Sequence, residues 1–342
     1  MTGRIKRVRT CLAAGLLALA ARGESLAPRP NIVFIFSDDH APQAIGAYDL
    51  RLSAFCREQK VTPNIDRLAA EGALFPNSFC GNSICSPSRA AVMTGLHGHA
   101  NGVRYLGEQV KPGTWKFPTA LRAAGYQTAL IGKWHLGNTT TETDYWCLLP
   151  GQGAYLDPSF SCTTGAVRRA GYVSDVITDL SLEWLERRDR SKPFMLMVHH
   201  KAPHRNWIPP ERYARWLDDV TVPEPPTLFD DYANRASVHK TQKMTIDKDM
   251  TLPADLKIYA DKPLGKIPEI YQPRNEAFRK LKPEGQALVR WKYQTYAKDY
   301  LRCIKTVDDS VGRVLGYLEK NGLDKNTVVI RSEERRVGKE CR

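Results

Sequence analysis

Cys85-Ser86-Pro87-Ser88-Arg89 sets a thiol and a guanidinium four residues apart. The stretch leaves a polar loop, enters the helix-forming Ala90-Ala91-Val92-Met93 and stops at Thr94-Gly95, which places Cys85 at or just before a helix N-terminus. Free backbone N–H groups and the positive end of the helix dipole gather there and favour an anionic group. Pro87 suits the first helical turn. A small buried thiol ahead of an ordinary helix would have the same pattern.

Three further clusters follow apolar runs directly. Asp38-Asp39 are adjacent carboxylates, costly to hold together unless a hard cation neutralises them, as calcium does with oxygen ligands. Lys133 and His135 stand two apart, on one side of the chain if the extended conformation persists, where both would face a bound anion. His199, His200 and His204 lie close together, and Pro203 breaks the strand so that His204 is presented beyond it. Three histidines also admit a zinc site, but no cysteine cluster accompanies them and the carboxylates suit calcium better. A second acidic pair, Asp308-Asp309, falls inside a long helical pattern and is read as a solvated helix face.

The elements that must position these residues alternate. Residues 31–36 form a continuous apolar run of the kind buried on both faces of a parallel sheet. Residues 63–72 read as a capped helix ending at glycine, and residues 117–124 repeat that form before a strand at 126–131. A helix from Tyr172 through Leu185 leads to a strand at 193–198, and a long amphipathic helix from Trp291 through Leu318 leads to a strand at 327–330. The stretch 209–283, rich in Pro, Asp and Lys, reads as an irregular excursion with short helices covering one edge of the site. Alternation of this kind predicts an α/β fold: a doubly wound, mainly parallel sheet sandwiched by helices. Ligands in such sheets bind beyond the carboxyl ends of the strands, where Asp38-Asp39, Lys133-Trp134-His135 and His204 all fall.

Asp38-Asp39, Cys85-Ser86-Pro87-Ser88-Arg89, Gly132-Lys133-Trp134-His135-Leu136-Gly137 and Pro203-His204, in this order, resemble the type I, formylglycine-dependent sulfatases of the alkaline-phosphatase superfamily. The form of the chain is closer to bacterial carbohydrate sulfatases than to small aryl ones. The resemblance implies that Cys85 is oxidised by a maturation enzyme to formylglycine, whose hydrated aldehyde is the nucleophile. It implies that Asp38, Asp39 and the oxidised Cys85 hold Ca2+, that Arg89 steadies the hydrate, and that Lys133 and His204 hold sulfate oxygens. His204 or a nearby lysine would protonate the leaving alcohol, and His135 would act on the hydrate's second hydroxyl. Cations and donors aimed at a transferring anion are the main source of stabilisation in such chemistry. In the family, an Asp with a neighbouring Asn, Gln or His follows the strand after the long helix; here that strand meets a foreign-looking tail, so the C-terminal part is expected to be missing and the 342-residue chain to be inactive.

Both ends are expected to lie outside the working body. Arg4, Lys6, Arg7 and Arg9 precede an apolar run from Cys11 to Ala21, too short to span a bilayer, so residues 1–21 read as a cleaved secretory signal and the protein as secreted or periplasmic, with no stable membrane insertion after cleavage. Residues 331–342 match the translation of a sequencing-library adapter, AGA TCG GAA GAG encoding Arg-Ser-Glu-Glu, so residues 22–330 are the incomplete catalytic domain. Without the four leader cations, and without a tail carrying five basic and three acidic residues, the formal +13 falls to +7 for the body. That suits a polyanionic substrate, and no basic block with interleaved aromatics points to nucleic acid. Of the six remaining cysteines, Cys147 and Cys162 are the local couple an oxidising compartment would pair, although spacing alone does not prove it. Gln152, in Gly151-Gln152-Gly153, the trio Arg205-Asn206-Trp207 and the stretch Asp144-Tyr145-Trp146 are candidate sugar contacts, or equally packing residues. A phosphate or phosphonate ester hydrolase of the same superfamily and a non-catalytic binder of sulfated glycans remain as alternatives.

Overall fold

The computed structural model describes residues 29–137 and 140–333. The expected signal and the tail beyond residue 333 lie outside the described residues. Seven strands, β1 (Asn31–Ser37), β2 (Gln127–Lys133), β3 (Tyr145–Leu149), β4 (Ser159–Cys162), β5 (Gly165–Arg168), β6 (Phe194–His199) and β7 (Thr327–Glu333), form one sheet in the order β5-β4-β3-β2-β6-β1-β7. The five strands from β3 to β7 in that order are parallel, and the β4–β5 hairpin adds an antiparallel edge. The helices are α1 (Ser53–Glu58), α2 (Pro63–Glu71), α3 (Cys85–Thr94), α4 (Gly98–Asn101), α5 (Phe117–Ala123), α6 (Val173–Arg187), α7 (Ser237–Thr241), α8 (Gln272–Leu281) and α9 (Gly285–Lys320). The doubly wound α/β expectation therefore holds.

Alternation of side chains along each strand divides the core in two. Val33, Ile35, Ala129, Ile131, Leu196 and Val198 face a layer built from α6 and α9, represented by Val176, Ile177, Ile304 and Val307. Phe34, Leu130, Met195 and Met197 face the other way, against Met93 of α3 and Leu121 of α5. Burial on both faces explains why the central strands read as unbroken apolar runs.

β6 lies between β1 and β2, and His199 is in register with both Phe36 and Gly132. The carboxyl ends of all three strands are thus level, and Asp38, Lys133 and the turn bearing His204 issue from one rim. Gly132 is required for this closeness: its φ is 112°, and a Cβ there would lie 1.9 Å from the His199 carbonyl oxygen.

Several expectations need correction. The strand expected at 126–131 runs from Gln127 to Lys133, and the last helix begins at Gly285. Strands β3 to β5 were not anticipated, because they are short and carry no long apolar run. The final strand does not stop at Ile330: Arg331, Ser332 and Glu333 pair with Ile35, Phe36 and Ser37. Strand pairing is made by backbone and tolerates such residues, and the Arg331 guanidinium donates to Ser37 Oγ at 3.0 Å. Asp308 is not on a solvated face. It is fully buried and accepts from the backbone N–H groups of Asn64 at 2.8 Å and Ile65 at 2.9 Å, satisfying the first turn of α2. Asp309 accepts from the Tyr213 hydroxyl at 2.7 Å. Cys147 and Cys162 stand opposite each other on β3 and β4 and are joined as a disulfide.

Candidate active site

Cys85 is the first residue of α3, after an extended Ile84, and no side chain caps that end. The first-turn N–H groups are therefore directed at the site around the Cys85 side chain. Gly95, left-handed at φ 68°, closes the helix as the Thr94-Gly95 stop predicts. The Ser86 hydroxyl donates to the His135 carbonyl at 2.7 Å and fastens the start of α3 to the turn after β2. Arg89, one helical turn on, is buried; its Nη1 donates to the Lys133 carbonyl at 2.5 Å and sits 3.2 Å from His199 Nδ1. Its guanidinium also covers the Phe36 ring at 5.2 Å and stands 4.0 Å from Asp38 Oδ2.

Asp38 and Lys133 are both buried and form an ion pair. Lys133 Nζ also reaches Gln152 Oε1 at 2.6 Å and Cys85 Sγ at 3.6 Å, and that sulfur lies 3.7 Å from Asp38 Oδ1. Asp38, Cys85 and His204 offer ligand atoms within 4.8 Å of one another, and Asp39 Oδ2 is 4.0 Å from His204 Nε2. Asp39 has φ 60°, and Tyr300 holds this reversal: its hydroxyl donates to the Asp39 carbonyl at 2.8 Å and accepts from Ala41 N at 2.7 Å.

Burial alone would raise the Asp38 carboxyl, but the charges of Lys133 and Arg89 outweigh it and hold the group below the usual carboxylate range. Burial pushes the Cys85 thiol up, and the Asp38 carboxylate adds to this, so the unmodified sulfur is a protonated and weak nucleophile. Burial lowers His135 to about 4, helped by Lys133 and Arg89, leaving a neutral imidazole able to accept a proton. Burial likewise lowers His204 against the pull of Asp38.

The structure brings together Asp38, Asp39, Cys85, Arg89, Lys133, His204 and Gln152. His135 joins them by a route other than the one anticipated. Its φ of 58° ends the extended conformation, so a turn, not strand alternation, sets it beside Lys133. The three histidines of the β6 end do not converge as a zinc site would require: His199 contacts Arg89 and the Lys133 carbonyl, whereas His200 is buried with no hydrogen-bond partner for its ring among the described residues. Trp207 is 8% exposed and packs 4.5 Å from the Tyr296 ring, as a core residue. Arg205 makes two bonds of 2.6 Å to the Asp255 carboxylate, and Asn206 donates to it at 2.5 Å. Asp144 accepts from Thr128 N and Oγ1, both at 2.9 Å, within the scaffold. Tyr155, which donates to the His204 carbonyl at 2.5 Å, Asp255 and Tyr300 escaped sequence reasoning, since no local pattern marks a residue that anchors a turn elsewhere in the chain.

The donor set fits a hard cation in kind: two neighbouring carboxylates beside position 85, where oxidation would replace sulfur by oxygen. Lys133 neutralises Asp38 in the present arrangement.

The sulfatase family model matches residues 30–332. The N-acetylglucosamine-6-O-sulfatase of Bacteroides thetaiotaomicron is 38% identical over 325 residues, covering 88% of this chain and 57% of the relative. Arylsulfatase G of Rattus norvegicus is 38% identical over 155 residues, 44% of this chain and 28% of its own. A solved structure described as a complex with its substrate D-glucosamine-2-N,6-O-disulfate superposes with a TM-score of 0.83 at 38% identity, covering 90% of this chain and 66% of that one. The phosphonate monoester hydrolase of Agrobacterium radiobacter, at 19% identity and a TM-score of 0.60 over 90% of this chain and 62% of its own, shares the fold. The chain spans less than two thirds of the length of these relatives. A family model matched over nearly all of the described residues, on the fold and rim geometry above, means that the chain belongs to the sulfatase family.

Proposed function

We propose that the chain carries the nucleophile-bearing part of a sulfatase that hydrolyses a sulfate ester on an amino-sugar carbohydrate. The observation that carries the reading is Cys85 at the open N-terminus of α3, in contact with both Lys133 and Asp38 yet held as a protonated thiol. Such a sulfur does little as it stands, and it occupies the centre of a site otherwise arranged for an anion. The names of the similar sulfatase and of the substrate in the similar complex support a sulfated glucosamine unit.

When present, formylglycine at position 85 supplies a hydrated aldehyde as an oxygen nucleophile, and Ca2+ held by Asp38, Asp39 and that oxidised side chain supplies positive charge. Lys133 and the first-turn N–H groups of α3 bind sulfate oxygens. Arg89 fixes the rim through the Lys133 carbonyl. His204 gives its proton to the leaving alcohol oxygen as the S–O bond breaks; the anionic ester adds to the negative charge of Asp38 and Asp39, which favours the protonated imidazole. Neutral His135 would take the proton released as inorganic sulfate departs and the aldehyde is restored. Gln152, tied to Lys133, is the candidate sugar contact at the rim, and the Arg205-Asn206-Trp207 turn acts by holding His204 in place.

Coexpression with a formylglycine-generating enzyme tests the reading. The Cys85 peptide is expected to lose about 18 Da, the change from thiol to aldehyde, and the matured full-length parent to turn over a sulfate ester faster than the matching phosphate or phosphonate ester. An unmodified Cys85 beside a converted control protein overturns the formylglycine assignment. Preferential phosphonate turnover replaces the reaction class, and glycan binding without turnover assigns a binder. The reading includes export through a leader in residues 1–21; among the described residues no helix is long and apolar enough to cross a membrane. The nucleotide sequence across codon 330 decides whether residues 331–342 belong to the natural gene.

A further inference from the structure

α9 has two working faces. At 100° per residue, Tyr293, Tyr296 and Tyr300 share the face that holds the Asp39 turn, and Trp291, Lys298 and Arg302 share the opposite one. That second face, with Arg215, Asp218 and Arg274, lines a cavity of about 410 Å³. We infer that this cavity is a second anion site, for the sulfate group of a sulfated sugar or of the free ion, separate from the rim that bears Cys85.

The charge balance carries the argument. Four cations, Arg215, Arg274, Lys298 and Arg302, meet three carboxylates, Asp218, Asp299 and Asp219, the last of which acts on Lys298 without a direct bond. Asp299 receives Arg274 through bonds of 2.7 and 2.6 Å and Arg302 at 3.0 Å, whereas Asp218 receives Arg302 at 2.6 Å and Arg215 at 2.7 Å. Lys298 meets no carboxylate oxygen among the described residues; its ammonium donates only to the Asp218 carbonyl, at 3.0 Å. One positive charge is therefore left over. Arg302 is 2% exposed, so the cluster is built into the protein and screened from water on that side. Burial and the neighbouring Arg302 lower the proton affinity of Lys298 despite the opposing pull of Asp218 and Asp219, a cost that a bound anion would relieve. A chloride-sized ion would leave most of the space empty. The volume suits a sulfate with a sugar ring attached, and Trp291 supplies an apolar wall of the sort on which sugar rings lie. None of this depends on the chemistry proposed for Cys85.

Isothermal titration of sodium sulfate, and separately of glucosamine 6-sulfate, into the chain tests the inference against sodium chloride at matched ionic strength. Saturable binding is expected in the native chain and with Lys298→Arg. The variant carrying both Arg215→Ala and Lys298→Ala should bind at least about tenfold more weakly, the loss of one charge-assisted contact or more. Arg215 is 73% exposed, so Arg215→Ala alone gives the same readout in smaller measure should the double variant fail to fold. Equal affinity for the two probes assigns the site to the free ion, and tighter binding of the sugar assigns it to a glycan unit. No saturable binding, or binding that the substitutions leave unchanged, overturns the inference.

Discussion

Asp38 and Lys133 have no exposed side-chain surface, and a buried pair is tolerated only while both partners remain. The adjoining Arg89 and Asp39 make the cluster a shared one, so each substitution should register in a different quantity. In the matured full-length parent Asp38→Ala is expected to weaken calcium binding and turnover together, each by at least about tenfold, because on the proposed reading it removes a ligand and it leaves Lys133 unmatched. Lys133→Ala should act mainly through KM for the sulfate ester, and a chelator should abolish turnover in the native protein. Calcium titration of activity checks this; an Asp38→Ala protein with unchanged calcium dependence would remove Asp38 from the metal site.

Among the elements, α2 and α9 are joined by the Arg67–Glu319 ion pair and, more deeply, by the Asp308 carboxylate. Asp308 does for α2 what an N-cap residue would, from 244 positions away, since Thr62 makes no side-chain cap bond. Gly312, one turn further along α9, leaves room for Asn64, where a Cβ would stand 2.7 Å from the Asn64 amide carbon. Asp308→Ala therefore deprives two backbone donors of their acceptor and should cost about 2–3 kcal/mol of stability. A urea midpoint equal to that of the native chain would show that water replaces the carboxylate without loss.

At the scale of the whole molecule, three buried histidines tie stability to pH. Burial lowers His40 and His199 well below the usual range and His200 to about 3. The unfolded chain takes up these protons near pH 6.5 and the folded chain does not, so their contribution is complete above about pH 6.5 and declines as pH falls towards 3. Between pH 6.5 and 5 His200, held at about 3, should cost about 2 kcal/mol, and His40 and His199 act in the same direction. Denaturation midpoints at pH 7.5 and 5.0 measure this, and His200→Gln should flatten the fall; a pH-independent midpoint refutes it. The outer side of β7 is also open among the described residues, with Val328 47% and Ile330 42% exposed beside a cavity of about 530 Å³ lined by Leu74 and Phe75. An apolar strand edge recruits other chains. Sedimentation velocity should find concentration-dependent association that Val328→Lys reduces, and a monomer at all concentrations would contradict it.

The local alphabet of this chain determined the central parallel strands, the helix that begins at Cys85, and the polar residues after Ser37, Gly132 and Pro203, because apolar runs, helix stops and strand breaks act over a few residues. It marked Asp38, Lys133 and His204 as rim residues. Tertiary structure alone decided what the remaining candidates contact. Trp207 turned to Tyr296, Arg205 to Asp255, 50 positions on, and Asp308 to Asn64, while His199 and His200 parted from His204. It also decided how the Asp39 turn is held, through Tyr300, 261 residues away. Those outcomes depend on which distant backbone donor or ring fills the space beside a side chain, and no local periodicity encodes that partner.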